Sequence, residues 1–141
     1  MHIPDQVREL LATGPLAHVV LRHPDDRLHV TLAWAGVDGD EILFSTFFSP
    51  HKVRDLQRDP RVTLSFQARE HTGPELWPYL VIDGTARVTP GGALAFMDGV
   101  APAYLGPGAV FPMRDAPAGW VFRVTVDRIY GMGPWREPAE D

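Results

Sequence analysis

Apolar positions along the chain recur at two different periods, and the switches between them divide it into elements. Near the start, Val7, Leu10 and Leu11 share one face of a helix. Pro4 suits its first turn, and Gly14-Pro15 ends it. The pattern then alternates over Leu16 to His23, Leu28 to Ala35 and Glu41 to Phe47, which read as three strands rich in Val, Ile, Leu and Phe. Pro24-Asp25-Asp26 and Asp38-Gly39-Asp40 are the turns between them, and turns this short make the pairing antiparallel. Ser49 as N-cap and Pro50 at the first position open a short helix that runs to Arg58 and stops at Asp59-Pro60. Its Val53 and Leu56 face inward, and Arg54 and Arg58 share another face.

Alternation returns from Arg61 to Arg69, with Val62, Leu64 and Phe66 on one side. Residues 70–78 read as a loop. Tyr79 to Thr89 is a long strand in which Gly84 predicts a bulge or a barrel corner. Gly91 to Val100 reads as a helix, 101–119 as an extended loop, and Trp120 to Tyr130 as the last strand, followed by a GMGPW tail. Six antiparallel strands with few helices predict a mainly β, closed or nearly closed barrel, with residues 1–141 as a single domain. Such a small barrel fills its interior with side chains, so a ligand sits outside it, in a groove or at a subunit interface.

Composition narrows the classes of function. The 141 residues carry 18 acidic and 13 basic side chains, a net charge of −5, which argues against general nucleic-acid binding. Cysteine is absent, which removes disulfides, thiol nucleophiles and zinc knuckles. The acidic N-terminal stretch does not read as a signal peptide, and no segment approaches the roughly 20 apolar residues of a membrane span. The expectation is a soluble, cytoplasmic protein with no nucleic-acid or membrane partner.

The histidines, at 2, 18, 23, 29, 51 and 71, are scattered, with no HExxH pattern, and no metal site is expected. His18 reads as an inward or interface residue on a strand, and His23 and His71 as surface loop. No GxSxG elbow or P-loop occurs. The segment STFFSPHKVRDLQRDPR stands apart. Ser45 and Thr46 end a strand, a helix start follows, and then come the only lysine, Lys52, and Arg54, Arg58 and Arg61. Helix starts with nearby cations bind phosphates and carboxylates. From spacing alone, the plainer reading is a solvated helix whose cations pair with Asp55 and Asp59. Core packing explains most of the four tryptophans. Trp77 and Trp135 lie in a loop and a tail, where a partner chain or a flat ligand is the alternative.

The stretches GPLAHVV, VTLAWAGVDGDEILFST, HKVRDLQRDPRVTLSFQ, YLVIDGTARVT, AYLGPG and RVTVDRIYGMGPW resemble, in order, the pyridoxamine-phosphate-oxidase-like split β-barrel family. Within it they are most similar to the flavin/deazaflavin oxidoreductases that use coenzyme F420. The resemblance implies an FMN-binding type of six-stranded antiparallel split β-barrel with short flanking helices. It also implies a homodimer with two cofactor sites in grooves between subunits. It puts Lys52 at the anchoring lysine, and Arg54 and Arg58 at the basic positions after it. Ser45 and Thr46 lie beneath the cofactor, Val30 and Thr31 at the ring, and Trp77 and Tyr79 near the second subunit's contribution.

The implied function is hydride transfer between F420 and a small unsaturated organic substrate. No catalytic side chain is required, because the cofactor carries the chemistry. The alternatives are an FMN-binding flavin reductase, a pyridoxamine-phosphate-type oxidase, or a non-catalytic binder of flavin, haem or another tetrapyrrole. Residues 70–78 and 101–119 would line the substrate pocket, with Tyr104, Phe111 and Met113 covering the barrel end. The chain departs from the family pattern at Leu28-His29 (Pro-Gln in many relatives), Pro50-His51 (a basic residue before the lysine), Asp55 (Asn) and Gln57 (Arg). Each change removes or opposes cationic binding, and His29 is a candidate to hydrogen-bond the ring edge or, protonated, to favour an anionic reduced ring.

Overall fold

The computed structural model describes residues 1–71, 73, 74 and 76–135. The elements are α1 (Asp5–Ala12), β1 (Ala17–Arg22), β2 (Leu28–Ala33), β3 (Gly36–Asp38), β4 (Glu41–Thr46) and α2 (Pro50–Arg58), followed by β5 (Arg61–Gln67), β6 (Tyr79–Pro90), α3 (Ala93–Leu105) and β7 (Trp120–Met132). All strand pairs are antiparallel, in the order β2-β1-β5-β6-β7-β4-β3.

The sheet has seven strands where the hydrophobic pattern predicts six. The alternating run Leu28 to Ala35 breaks at Trp34-Ala35. Its first part pairs with β1 and the stretch just beyond it, β3, pairs with β4. One passage of chain thus serves both edges of the sheet, which brings the barrel close to closure and leaves no long free edge on β3. The break is held from outside. Tyr104 Oη accepts a hydrogen bond from the buried Ala35 N–H at 2.8 Å and donates one to Pro15 O at 2.7 Å. Burial raises the Tyr104 phenol above its ordinary value, which keeps the donated proton in place. The Trp34 ring lies flat on Tyr104, with centroids 4.8 Å apart.

Inside, Phe44 and Phe122 stack at 4.6 Å among Phe66, Leu64, Leu80 and Ile82. Val7, Leu10 and Leu11 of α1 join this core, as their helical spacing predicts. Gly84 sits at the register shift of β6, and a side chain there would meet the Thr125 carbonyl oxygen at 2.5 Å. The predicted irregularity is present, and the missing side chain of Gly84 lets the two long strands approach closely at this corner.

Three sequence expectations change. Helix α3 extends past Val100 to Leu105, through Pro102, so the irregular stretch begins at Gly106 and not at 101. Ala93 and Ala101 are buried, and packing on β4 and β7 outweighs the hydrogen bond that the proline removes. Trp135 is buried on its own chain, with Nε1 donating to Tyr79 O at 3.0 Å, and is not free for a partner or ligand. Of the three side chains expected over the barrel end, Tyr104 and Phe111 pack against Trp34, whereas Met113 is exposed.

Tyr104→Phe leaves the buried Ala35 N–H without its partner. Chemical denaturation is expected to show a loss of about 1–3 kcal/mol.

Candidate functional site

Helix α2 forms where the sequence places it. Pro50 fixes the first turn, and the N–H of Lys52 reaches Ser49 O at 3.1 Å. Ser49 occupies the N-cap position, but its side chain makes no capping bond. At the other end the Asp59 N–H bonds to Asp55 O, and Arg61 folds back on the Asp59 carboxylate at 2.8 Å. This bond with Arg61 lowers the Asp59 carboxyl to about 2. Arg61 is thereby occupied, and Arg58 donates to Arg22 O at 3.0 Å. Arg54 is exposed and makes no hydrogen bond or ion pair among the described residues.

Lys52 departs from the solvated-helix expectation. It is only 9% exposed and turns inward with Val53 and Leu56. Its Nζ donates to Thr31 Oγ1 of β2 at 3.1 Å. An ammonium has three donors, and among the described residues this one uses a single hydrogen bond and no carboxylate. Burial therefore holds the Lys52 ammonium below its ordinary value. A buried cation lacking a counter-charge is costly and attracts an anion. The residues present fit a phosphate or carboxylate placed between α2 and β2.

Strand β2 displays its side chains in reverse of a usual barrel strand. Leu28, Val30 and Leu32 point outward and are 60, 61 and 57% exposed. The alternate positions carry His29 and Thr31, and Thr31 meets α2. Val30 and Thr31 therefore serve opposite faces. Thr46 is buried at the end of β4, opposite Trp120. Ser45 lines a groove of about 300 Å³ together with Leu16, Leu32, Trp34 and Phe111. A second groove of about 510 Å³ adjoins it through Leu16 and Trp34 and is walled by Trp77, Tyr104, His18 and Arg69. The Trp77 indole N–H donates to Ala68 O, and His71 packs on its ring. Tyr79 is exposed at the start of β6. Within one chain, Ser45 and Trp77 thus belong to adjoining grooves, and Lys52, Thr31 and His29 to the α2–β2 side.

The structure also gathers residues that the sequence left apart. The hairpin register pairs Leu21 with His29 and so returns His23 beside it. The His23 and His29 rings meet edge-on with centroids 3.2 Å apart, and His51 lies 6.5 Å from His23. His23 Nδ1 lies 2.5 Å from Asp55 Oδ2. His23 is thus not a free surface-loop residue. Asp55 is buried, faces His23 and, among the described residues, makes no ion pair with the arginines of its helix. The signal for this grouping was present in the hairpin turn and in the spacing of His51 and Asp55, four apart on one helix.

A family model described as pyridoxamine 5'-phosphate oxidase matches residues 3–133. No curated protein sequence matches the chain. Among solved structures, an F420 reductase superposes with a TM-score of 0.69 at 22% identity, covering 87% of this chain and 94% of the other. HutZ, a haem storage protein from Vibrio cholerae, superposes at 0.66 with 14% identity, covering 94 and 96%. An FAD-binding protein from Mesorhizobium loti superposes at 0.61 with 16% identity, covering 87 and 88%.

Lys52→Met keeps the length of the side chain and removes the buried charge. The variant is expected to melt roughly 3–5 °C higher than the wild type near neutral pH. The sign follows from linkage. With a lowered folded value, Lys52 makes the wild type gain stability as pH rises from that value toward the ordinary 10.5, and the variant lacks this gain. Thermal melts across alkaline pH check both.

Proposed function

Because the chain belongs to the pyridoxamine 5'-phosphate oxidase family, we propose that it is an oxidoreductase that binds coenzyme F420 in a groove between two copies of itself. The observation that carries the reading is Lys52, a buried ammonium with one hydrogen bond and no carboxylate among the described residues. An anionic cofactor supplies the missing counter-charge. Lys52 holds its phosphate, Thr31 orients Lys52, and the exposed Arg54 meets the more distal acid groups. Arg58 is engaged with Arg22 O and contributes charge from behind.

Bound F420 would supply the hydride chemistry itself. The protein's part is to hold the ring against β2 and the end of β4, near Ser45 and Thr46, and to keep water away. The groove of about 510 Å³ beside Ser45 receives a small unsaturated substrate. Its walls bear three aromatic rings, from Trp34, Trp77 and Tyr104, which favour a flat molecule. The outward Leu28, Val30 and Leu32 form a contiguous apolar face on an outer strand. A second copy covering this face would bring a second chain to the same groove.

The same anchor accepts FMN, and the FAD-binding and haem storage neighbours keep a flavin enzyme and a non-catalytic binder as readings to be separated by experiment. Absorbance and titration calorimetry after incubation with F420 and, separately, with FMN distinguish them. F420 is expected to bind at micromolar concentration or tighter and to reduce substrates as a hydride donor. Binding without turnover over a panel of acceptors would favour the binder, and no binding of either cofactor would refute the reading. Lys52→Ala is expected to weaken binding by about tenfold or more, whereas Arg87→Ala, whose guanidinium pairs with Glu41, leaves it unchanged. Val30→Asp is expected to convert a dimer to a monomer in sedimentation and to weaken binding with it.

A further inference from the structure

Three of the four places where this chain departs from its family's pattern meet at one point in space. His29 of β2 stands far in sequence from His51 and Asp55 of α2, and His23 joins them through the β1–β2 turn. The group is graded from inside to outside. Asp55 is buried with a side-chain exposure of 7%, the His23 side chain is 20% exposed, and His29 and His51 open to solvent. Asp55 Oδ2 is buried without a hydrogen bond of good geometry, so it leans on the imidazoles for its counter-charge. Lys52 lies next to His51 in α2, and Thr31, which holds Lys52, lies two residues from His29 on the same side of β2.

The geometry assigns His23, His29 and His51 to a proton-dependent anion subsite that extends the Lys52 anchor. It takes the phosphate-bearing part of the ligand only while the imidazoles are charged. This deepens the cofactor reading above and rests on it. The physical reason is a substitution of charge type. At His51 an imidazole stands where some relatives carry a basic residue, and imidazoles change charge between about pH 5 and 8. One carboxylate, Asp55, stands among three imidazoles, so positive charge on the group beyond one is balanced only by an anion from solution.

The other charged groups on these elements are already engaged or point away. Arg22 pairs with Asp26, Arg58 donates to Arg22 O, and Arg27 lies near Asp25. Asp59 is held by Arg61, Arg54 is exposed, and Lys52 is bonded to Thr31. Titration of the subsite over this interval therefore falls to the histidines.

The test is affinity against pH for three probes: FMN, riboflavin, which lacks the phosphate, and inorganic pyrophosphate. FMN affinity is expected to fall about fivefold or more between roughly pH 5.5 and 8, with riboflavin changing less than about twofold. The phosphate of FMN gains charge over that interval, with a second pKa of about 6, which by itself would tighten binding. A fall must therefore come from the protein. In the double variant His29→Gln, His51→Gln the fall in FMN affinity is expected to vanish, leaving a profile that is flat or rises with pH, while the melting temperature holds.

A wild-type FMN affinity independent of pH, or the same slope in the double variant, overturns the inference. A role limited to packing would lower the melting temperature of His23→Gln and leave the slope of the double variant intact, which also overturns it. If neither FMN nor F420 binds at any pH, the cofactor reading falls, and pyrophosphate decides the subsite. Binding that is strong at low pH and lost in the double variant upholds the subsite. Pyrophosphate binding that is absent or unchanged in the variant overturns it.

Discussion

A single hydrogen bond, from Lys52 Nζ to Thr31 Oγ1, joins the helix that follows the barrel's fourth strand to the strand that closes the barrel. It buries an ammonium with two donors unspent and no carboxylate against it among the described residues. A fold stabilised by its core tolerates such a cost at one place, and on the proposed reading an anionic ligand supplies what is missing. The surrounding arrangement serves this one position. Pro50 starts α2 so that Lys52 falls in its first turn, Val53 and Leu56 press the helix on the barrel, and Asp59 with Arg61 ends it.

The closing strand carries the second constraint. The passage Leu28 to Asp38 must pair with β1 at one end and β4 at the other, and it bends at Trp34-Ala35 to do so. Tyr104 fixes the bend from α3. Because β2 turns its polar side toward α2, its leucines and valine are left outside. The same strand then holds the anchor on one face and an apolar surface on the other. On the proposed reading, anion binding and association of copies would be coupled through this one strand of six residues.

Much of the fold was legible in the sequence because it rests on local rules. The period of Val7, Leu10 and Leu11, the alternation of Val62, Leu64 and Phe66, the proline start of α2 and the bulge at Gly84 all stand as read. The errors came where tertiary packing overrode a local signal. Pro102 reads as a helix breaker but lies in α3, because buried Ala93 and Ala101 hold that helix against the sheet. Trp135 reads as available but is packed under Tyr79. The strand count rose to seven because a bend within one alternating run leaves no mark on its period.

The candidate site was legible in part, for a similar reason. The special standing of Lys52 could be read from its rarity and from the family resemblance, but its burial could not, since a lysine in a helix start reads equally as solvated. The histidine group depends on hairpin register and helix packing together, neither of which a scattered list of positions displays.

The most direct measurement is the titration of the Lys52 ammonium by heteronuclear NMR on selectively labelled protein, without and with a saturating phosphate-bearing cofactor. The account predicts that Lys52 titrates below the ordinary lysine range in the free protein and moves upward when FMN or F420 binds. An ordinary lysine titration that does not respond to either cofactor would contradict it.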